Sequence, residues 1–129
     1  MSDDPIPPDV RDFLTRYIDS IAQLEALLLL RDNAAPEWIA RDVAKRLYIS
    51  EQQTAGILAR LAEDRLLEWK DKTTGRVVYR PNSAALAETV DRVAEAYRRH
   101  LVPITNLVHG KVQSRVRQFA DAFVLRKEE

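Results

Sequence analysis

Between Pro36 and Pro81 the apolar residues change from a spacing near 3.6 to a spacing near 2, and that change limits what the chain can fold into. Trp38, Ile39, Val43, Ala44 and Leu47 share one face of a helix that begins near Glu37 and ends around Tyr48. Tyr48-Ile49-Ser50 reads as a tight turn. Ser50 with Gln53 three residues on forms an S-x-x-Q capping box, which satisfies the first free amides of a helix starting at Glu51 and running to about Asp64. Thr54, Ile57, Leu58 and Leu61 form its inner stripe, leaving Glu51, Gln52, Gln53, Ala55, Gly56 and Arg60 nearer solvent. Leu67-Glu68-Trp69-Lys70 and Arg76-Val77-Val78-Tyr79-Arg80 then alternate as two strands. Asp71-Lys72-Thr73-Thr74-Gly75 joins them as a hairpin turn in which the glycine suits a positive φ. The order is helix, turn, helix, hairpin.

Helices are expected on both sides of this segment. Pro7, Pro8 and Asp9 suit a helix start, and Val10, Phe13, Leu14, Tyr17, Ile18, Ile21, Leu24 and Leu28 recur at helical spacing, predicting one long helix over 8–31. Asp32, Asn33 and Pro36 stop it. After Pro81, Asn82 or Ser83 caps a helix carrying Leu86, Val90, Val93, Ala94, Tyr97 and Leu101, which Pro103 interrupts or kinks. A last amphipathic helix follows, with Ile104, Leu107, Val108, Val112, Val116, Phe119 and Phe123 on one stripe. The expected organisation is a loose terminus over 1–7 and one domain over 8–129, in which 8–31 and 83–126 flank the central segment.

The central segment resembles the winged helix-turn-helix of small bacterial regulators of the MarR and PadR type. The resemblance covers residues 36–81, and the flanking helices match in kind. Ala44 matches the small residue expected in the first helix of the motif and Ile57 an apolar position of the second. Tyr48 stands where glycine is usual, and Thr54 where a β-branched apolar residue is usual. The ending QFADAFVLRK is similar to that of a group of small uncharacterised bacterial proteins with a winged helix in the middle. The fold implied is mainly α with a small β-hairpin wing, and the implied function is a DNA-binding transcriptional regulator. In such a regulator the helix over 51–64 enters the major groove and the wing over 66–80 rests on the backbone or minor groove.

The residues available for that task are specific. Gln52 and Gln53 have the amides to read adenine, and Arg60 can reach guanine or phosphate. Arg41, Lys72, Thr73, Thr74, Arg76 and Arg80 can hold the DNA backbone. Glu51, Glu63 and Asp64 oppose them, because carboxylates repel phosphates. The whole chain has a net charge of zero, with nine basic against seven acidic side chains over 36–82 and three against seven over 1–35. A weak cationic excess of this kind leaves a second expectation open: a winged-helix module that binds protein and not DNA.

Other functions find less support. The 129 residues contain no cysteine, which removes disulfides, a thiol nucleophile and cysteine-based zinc sites. There is no glycine-rich phosphate loop, nucleophile elbow or H-E-x-x-H pattern, so no enzyme and no cofactor are expected. Asp91 and Glu95 lie among Arg92, Arg98 and Arg99 and read as a solvated salt-bridge surface. His100 and His109 lack ligand spacing, so no metal site is expected. A small-molecule pocket would draw on Trp38, Trp69, Tyr17 and Tyr97. The start MSDDPIPPD has neither the basic nor the apolar region of a signal peptide, and the longest apolar run, Leu27 to Leu30, is too short for a membrane span. A cytoplasmic homodimer is expected, paired through Phe13, Tyr17, Val112, Val116, Phe119 and Phe123. The competing reading folds Phe119 and Phe123 into the chain's own core.

Overall fold

The computed structural model describes residues 4–111. It is mainly helical with one small antiparallel sheet, in the order α1 (Pro8–Tyr17), α2 (Ile21–Asp32), α3 (Ala40–Leu47), α4 (Glu51–Glu63), β1 (Leu67–Asp71), β2 (Arg76–Tyr79) and α5 (Ala84–Arg99). A further helix, α6, covers 101–111. No helix among the described residues is long and apolar enough to cross a membrane.

The central pole is α2. It contacts α3, α4 and β2, and it buries Gln23, Leu24, Ala26, Leu27, Leu28 and Leu30. A helix that is apolar on nearly every side must lie inside a fold, and the other elements are arranged around this one. One continuous cluster of buried side chains runs from Ile6 through Leu14, Leu27, Leu58, Leu66, Val77 and Val93 to Val108.

The long first helix expected over 8–31 is two helices. Ile18 leaves the helix with φ −105° and ψ 119°, and Ser20, fully extended, caps the next one. Ser20 Oγ accepts from the Gln23 amide at 3.1 Å, while Gln23 Oε1 accepts from the Asp19 amide at 2.7 Å and Gln23 Nε2 donates to the Tyr17 carbonyl at 3.1 Å. Lys111 Nζ closes the corner from α6, donating to the carbonyls of Leu14 and Ile18 at 3.2 and 2.8 Å. The apolar spacing runs unbroken through the corner, which is why periodicity alone joins the two helices.

Residues 4–7 also differ from the loose terminus expected. Ile6 is buried, and the Asp4 carboxylate accepts from the Ile6 amide at 3.0 Å and from Arg11. At the other end, the break associated with Pro103 falls at His100. A continuous helix would need Pro103 to donate to Arg99; with α5 ending at Arg99, Pro103 lies in the first turn of α6, where no donor is required.

Candidate nucleic-acid interface

Trp38 is not on a helix face, as its spacing suggests. It exchanges two backbone hydrogen bonds with Val77 of β2, at 2.8 and 2.9 Å, and its indole donates to the Asn33 carbonyl at 3.1 Å. Helix α3 therefore begins at Ala40 with Ile39 as its cap. This bridge ties the segment before α3 to the hairpin, so the helix pair and the hairpin are joined at both ends.

The turn and the second helix follow the sequence reading closely. Tyr48 closes α3 in the left-handed region (φ 59°, ψ 42°), with the Ile49 amide donating to the Ala44 carbonyl at 3.2 Å. Ser50 caps α4, its hydroxyl accepting from the Gln53 amide at 3.0 Å. Thr54, Leu58 and Leu61 are buried and Ile57 is half-buried, whereas Glu51, Gln52, Gln53, Ala55, Gly56, Ala59 and Arg60 are exposed. Thr54 Oγ1 donates to the Ser50 carbonyl at 2.8 Å, so its hydroxyl is satisfied inside the motif.

In the hairpin, Leu67 pairs with Tyr79, Glu68 with Val78, and Trp69 with Val77, and an irregularity at Lys70 brings Asp71 opposite Arg76. The tip is held by Asp71, whose carboxylate accepts from the amides of Thr73 and Thr74 at 3.0 and 3.3 Å. Gly75 has φ 75°, as the turn requires. The Thr74 hydroxyl donates to the Asp71 carbonyl at 3.4 Å and is partly engaged. A cleft of about 170 Å³ separates this tip from the helix pair, lined by Arg41, Glu51, Ala55, Leu58, Trp69, Thr74 and Gly75 among others.

The predicted cations are exposed, and most already face a carboxylate. Arg60 lies 3.2 Å from Asp64, Arg80 2.6 Å from Glu68, Arg76 3.8 Å from Glu37 and Arg41 3.9 Å from Asp42. Asp64 also pushes the Arg60 guanidinium pKa up. Exposed pairs of this kind are weak because solvent screens them, so they can be exchanged for another anion, but the displaced carboxylates stay nearby. Lys72 has no ion pair among the described residues.

Two cations that the sequence reading passed over share that condition. Lys45 and Arg46 are exposed in the last turn of α3 without an ion pair among the described residues, and Arg46 lies 5.8 Å from the centre of the Trp38 ring. Adjacent basic residues just before the turn were the available signal.

The remaining expectations separate. Phe13 is 3% exposed inside the chain and packs on Tyr17 with ring centres 5.0 Å apart, so it has little surface to offer a second subunit. Tyr17 is half-buried. Val112, Val116, Phe119 and Phe123 lie outside the described residues. The four aromatics suggested for a ligand pocket do not converge. Tyr97 borders the α2–α5 groove of about 540 Å³, Tyr17 a hollow near Asn82, and the two tryptophans depressions on either side of α3 and the hairpin. The acidic and basic side chains of α5 form exposed pairs: Glu95 with Arg98 and Arg99, Asp91 with Arg31 of α2, and Arg92 with Asp9 of α1, whose carboxyl the Arg92 hydrogen bond holds below its usual range.

No protein-family model matches this chain, and neither a curated protein nor a solved structure is detectably similar to it.

Proposed function

We propose that residues 36–81 form a winged helix-turn-helix and that the protein is a regulator that binds double-stranded DNA through it. The observation that carries this reading is the cleft shared by the hairpin tip and the first turn of α4, with Arg41 at its edge. A helix with a bare outer face beside a fixed hairpin is the arrangement that lets one element enter a major groove while the other follows the backbone. Gln52 and Gln53 are then the readers of base edges, and Lys72, Arg76 and Arg80 hold phosphates.

The carboxylate partners of Arg41, Arg60, Arg76 and Arg80 set the strength of this binding. Each cation must trade one anion for another, and Glu51 at the tip of α4 adds repulsion, so affinity is low and depends strongly on salt. Those same pairs favour a second reading, in which the module docks on a protein surface of mixed charge. The two separate in one experiment. A labelled random-sequence duplex titrated at low and moderate salt should bind with a log–log salt slope of about −0.9 for each phosphate contacted, and Arg76→Ala with Arg80→Ala should flatten that slope by about 2. Absence of binding at low salt, or binding indifferent to salt, would leave the protein-docking reading in its place.

A further inference from the structure

Among the described residues, three large side chains stand far out in solvent: Tyr48 at 94% exposure, Val102 at 65% and Leu101 at 53%. Leu101 and Val102 mark the junction of α5 and α6, and nothing there indicates what covers them. Tyr48 is different because its backbone is strained as well.

Its φ of 59° and ψ of 42° lie in the left-handed region, which glycine enters without cost and a side chain does not. The side chain gives nothing back within the chain, since it forms no hydrogen bond or ring contact among the described residues. Arg65 takes the same conformation with φ 64°, but its carbonyl accepts from the Asn82 amide at 2.9 Å and so fastens the end of α4 to the approach of α5. The left-handed turn at Tyr48 closes α3 on the Ala44 carbonyl, a task glycine performs without strain, so what the chain leaves unexplained is the exposed tyrosine placed there, and that points outward, toward a contact the isolated chain does not contain.

The charges around it narrow the contact. Lys45 and Arg46, three and two residues before, have no ion pair among the described residues, whereas Arg41 is paired with Asp42. Cations at the end of α3 also suit the helix dipole, which accounts for Lys45 and Arg46 but not for an exposed tyrosine. The opposing charge nearby in sequence is Glu51, three residues beyond. A neutral phenol is a donor that a phosphate can accept from, and it does not enlarge the ionic footprint.

We infer that Tyr48 contacts the DNA backbone, its hydroxyl donating a hydrogen bond to a phosphate oxygen at the edge of the groove that α4 enters, with Lys45 and Arg46 supplying positive charge beside it. This rests on the DNA-binding reading above. It assigns to the turn, and not to the helix or the hairpin, a contact that fixes the register of α4 on the duplex.

The test uses the full chain with Tyr48→Gly and Tyr48→Phe, a random-sequence duplex at low salt, and thermal melting of each variant. Tyr48→Gly should raise Tm, because the strain is relieved, and weaken duplex binding about tenfold, with the salt slope unchanged because no charge is lost. Tyr48→Phe should melt like the parent and lose a similar amount of binding. A glycine variant that binds like the parent, or melts below it, overturns the inference while leaving the parent's DNA binding intact. A phenylalanine variant that binds like the parent overturns the hydroxyl's role. A parent that does not bind any duplex overturns the broader reading, and this inference falls with it.

Discussion

Helices α2 and α4 are neighbours of almost equal length, 12 and 13 residues, and they put their surfaces to opposite uses. Helix α2 buries six residues, among them Leu24, Leu27 and Leu30, which are wholly without exposure, and it has elements packed on it from several directions. Helix α4 buries Thr54, Leu58 and Leu61 and leaves Gln52, Ala55, Gly56 and Ala59 bare. A side chain surrounded by neighbours contributes to stability and has no face left to present. A helix that spends one stripe on the core leaves the rest in solvent. Packing and exposed surface are thus separated into different helices, and substitutions in each should have different consequences.

The largest effect should come from Leu27→Ala. The side chain is fully buried in the central helix, and removing it from such a site costs about 2–5 kcal/mol through lost burial and the cavity left behind. Against a typical domain stability of about 5–15 kcal/mol, that is a large share. Urea unfolding of the variant measures it. A loss below about 1 kcal/mol would mean that the site collapses around the gap, and that α2 is not the packed pole that its burial indicates.

Next comes Gln23→Ala, which tests whether the corner before α2 belongs to the packed side of the comparison. The Gln23 amide joins the Asp19 amide and the Tyr17 carbonyl, and only 3% of the residue is exposed. Truncation leaves both backbone groups without that partner and should cost about 1–3 kcal/mol. The same urea experiment decides it, and an effect below about 0.5 kcal/mol would assign the corner to the Ser20 cap and Lys111.

That corner also shows where reading the sequence stops. Ser20-Ile21-Ala22-Gln23 has the same S-x-x-Q spacing as Ser50-Glu51-Gln52-Gln53, but only the second follows an obvious turn. Apolar spacing continued through Ser20, and a period carries no information about a bend that preserves phase. The helix, turn, helix and hairpin order of the central segment, the α4 stripe, Gly75 and the Ser83 cap were legible because each depends on neighbours within a few residues. Trp38 was misplaced because its hydrogen-bonding partner, Val77, is far away in sequence and the helical spacing of an indole cannot reveal a bridge. At the candidate interface, charge could be counted along the chain, but pairing could not. Arg80 meeting Glu68 follows from strand register, and Arg76 meeting Glu37 follows from the bridge beside Trp38. That Lys45, Arg46 and Lys72 have no such partner among the described residues emerges only once the others have been paired.

The smallest expected effect at neutral pH extends the comparison to the second strand of the hairpin, which repeats it: Val77 and Val78 are buried, and Arg76 and Arg80 are exposed. Tyr79 lies between. Its hydroxyl is buried without a hydrogen-bond partner among the described residues, and burial, with the Asp91 charge adding and Arg31 opposing, pushes its pKa up to about 12. Below about pH 10 the tyrosine keeps its proton in both folded and unfolded chains, so it adds no pH dependence. Between about 10 and about 12 the unfolded chain releases the proton while the folded one retains it, so stability falls as pH rises through that window and levels off above it. Tyr97, also raised to about 12 by burial and then by its bond to Glu25, adds a parallel loss. Tyr79→Phe should raise stability by about 1 kcal/mol at pH 7, because a buried hydroxyl without a partner costs its desolvation, and should remove part of the alkaline loss while Tyr97 retains the rest. Urea unfolding at pH 7 and at steps from 10 to 12 measures both. A phenylalanine variant clearly weaker than the parent at pH 7 would show that the hydroxyl has a partner and that this edge of the hairpin is built for more than packing.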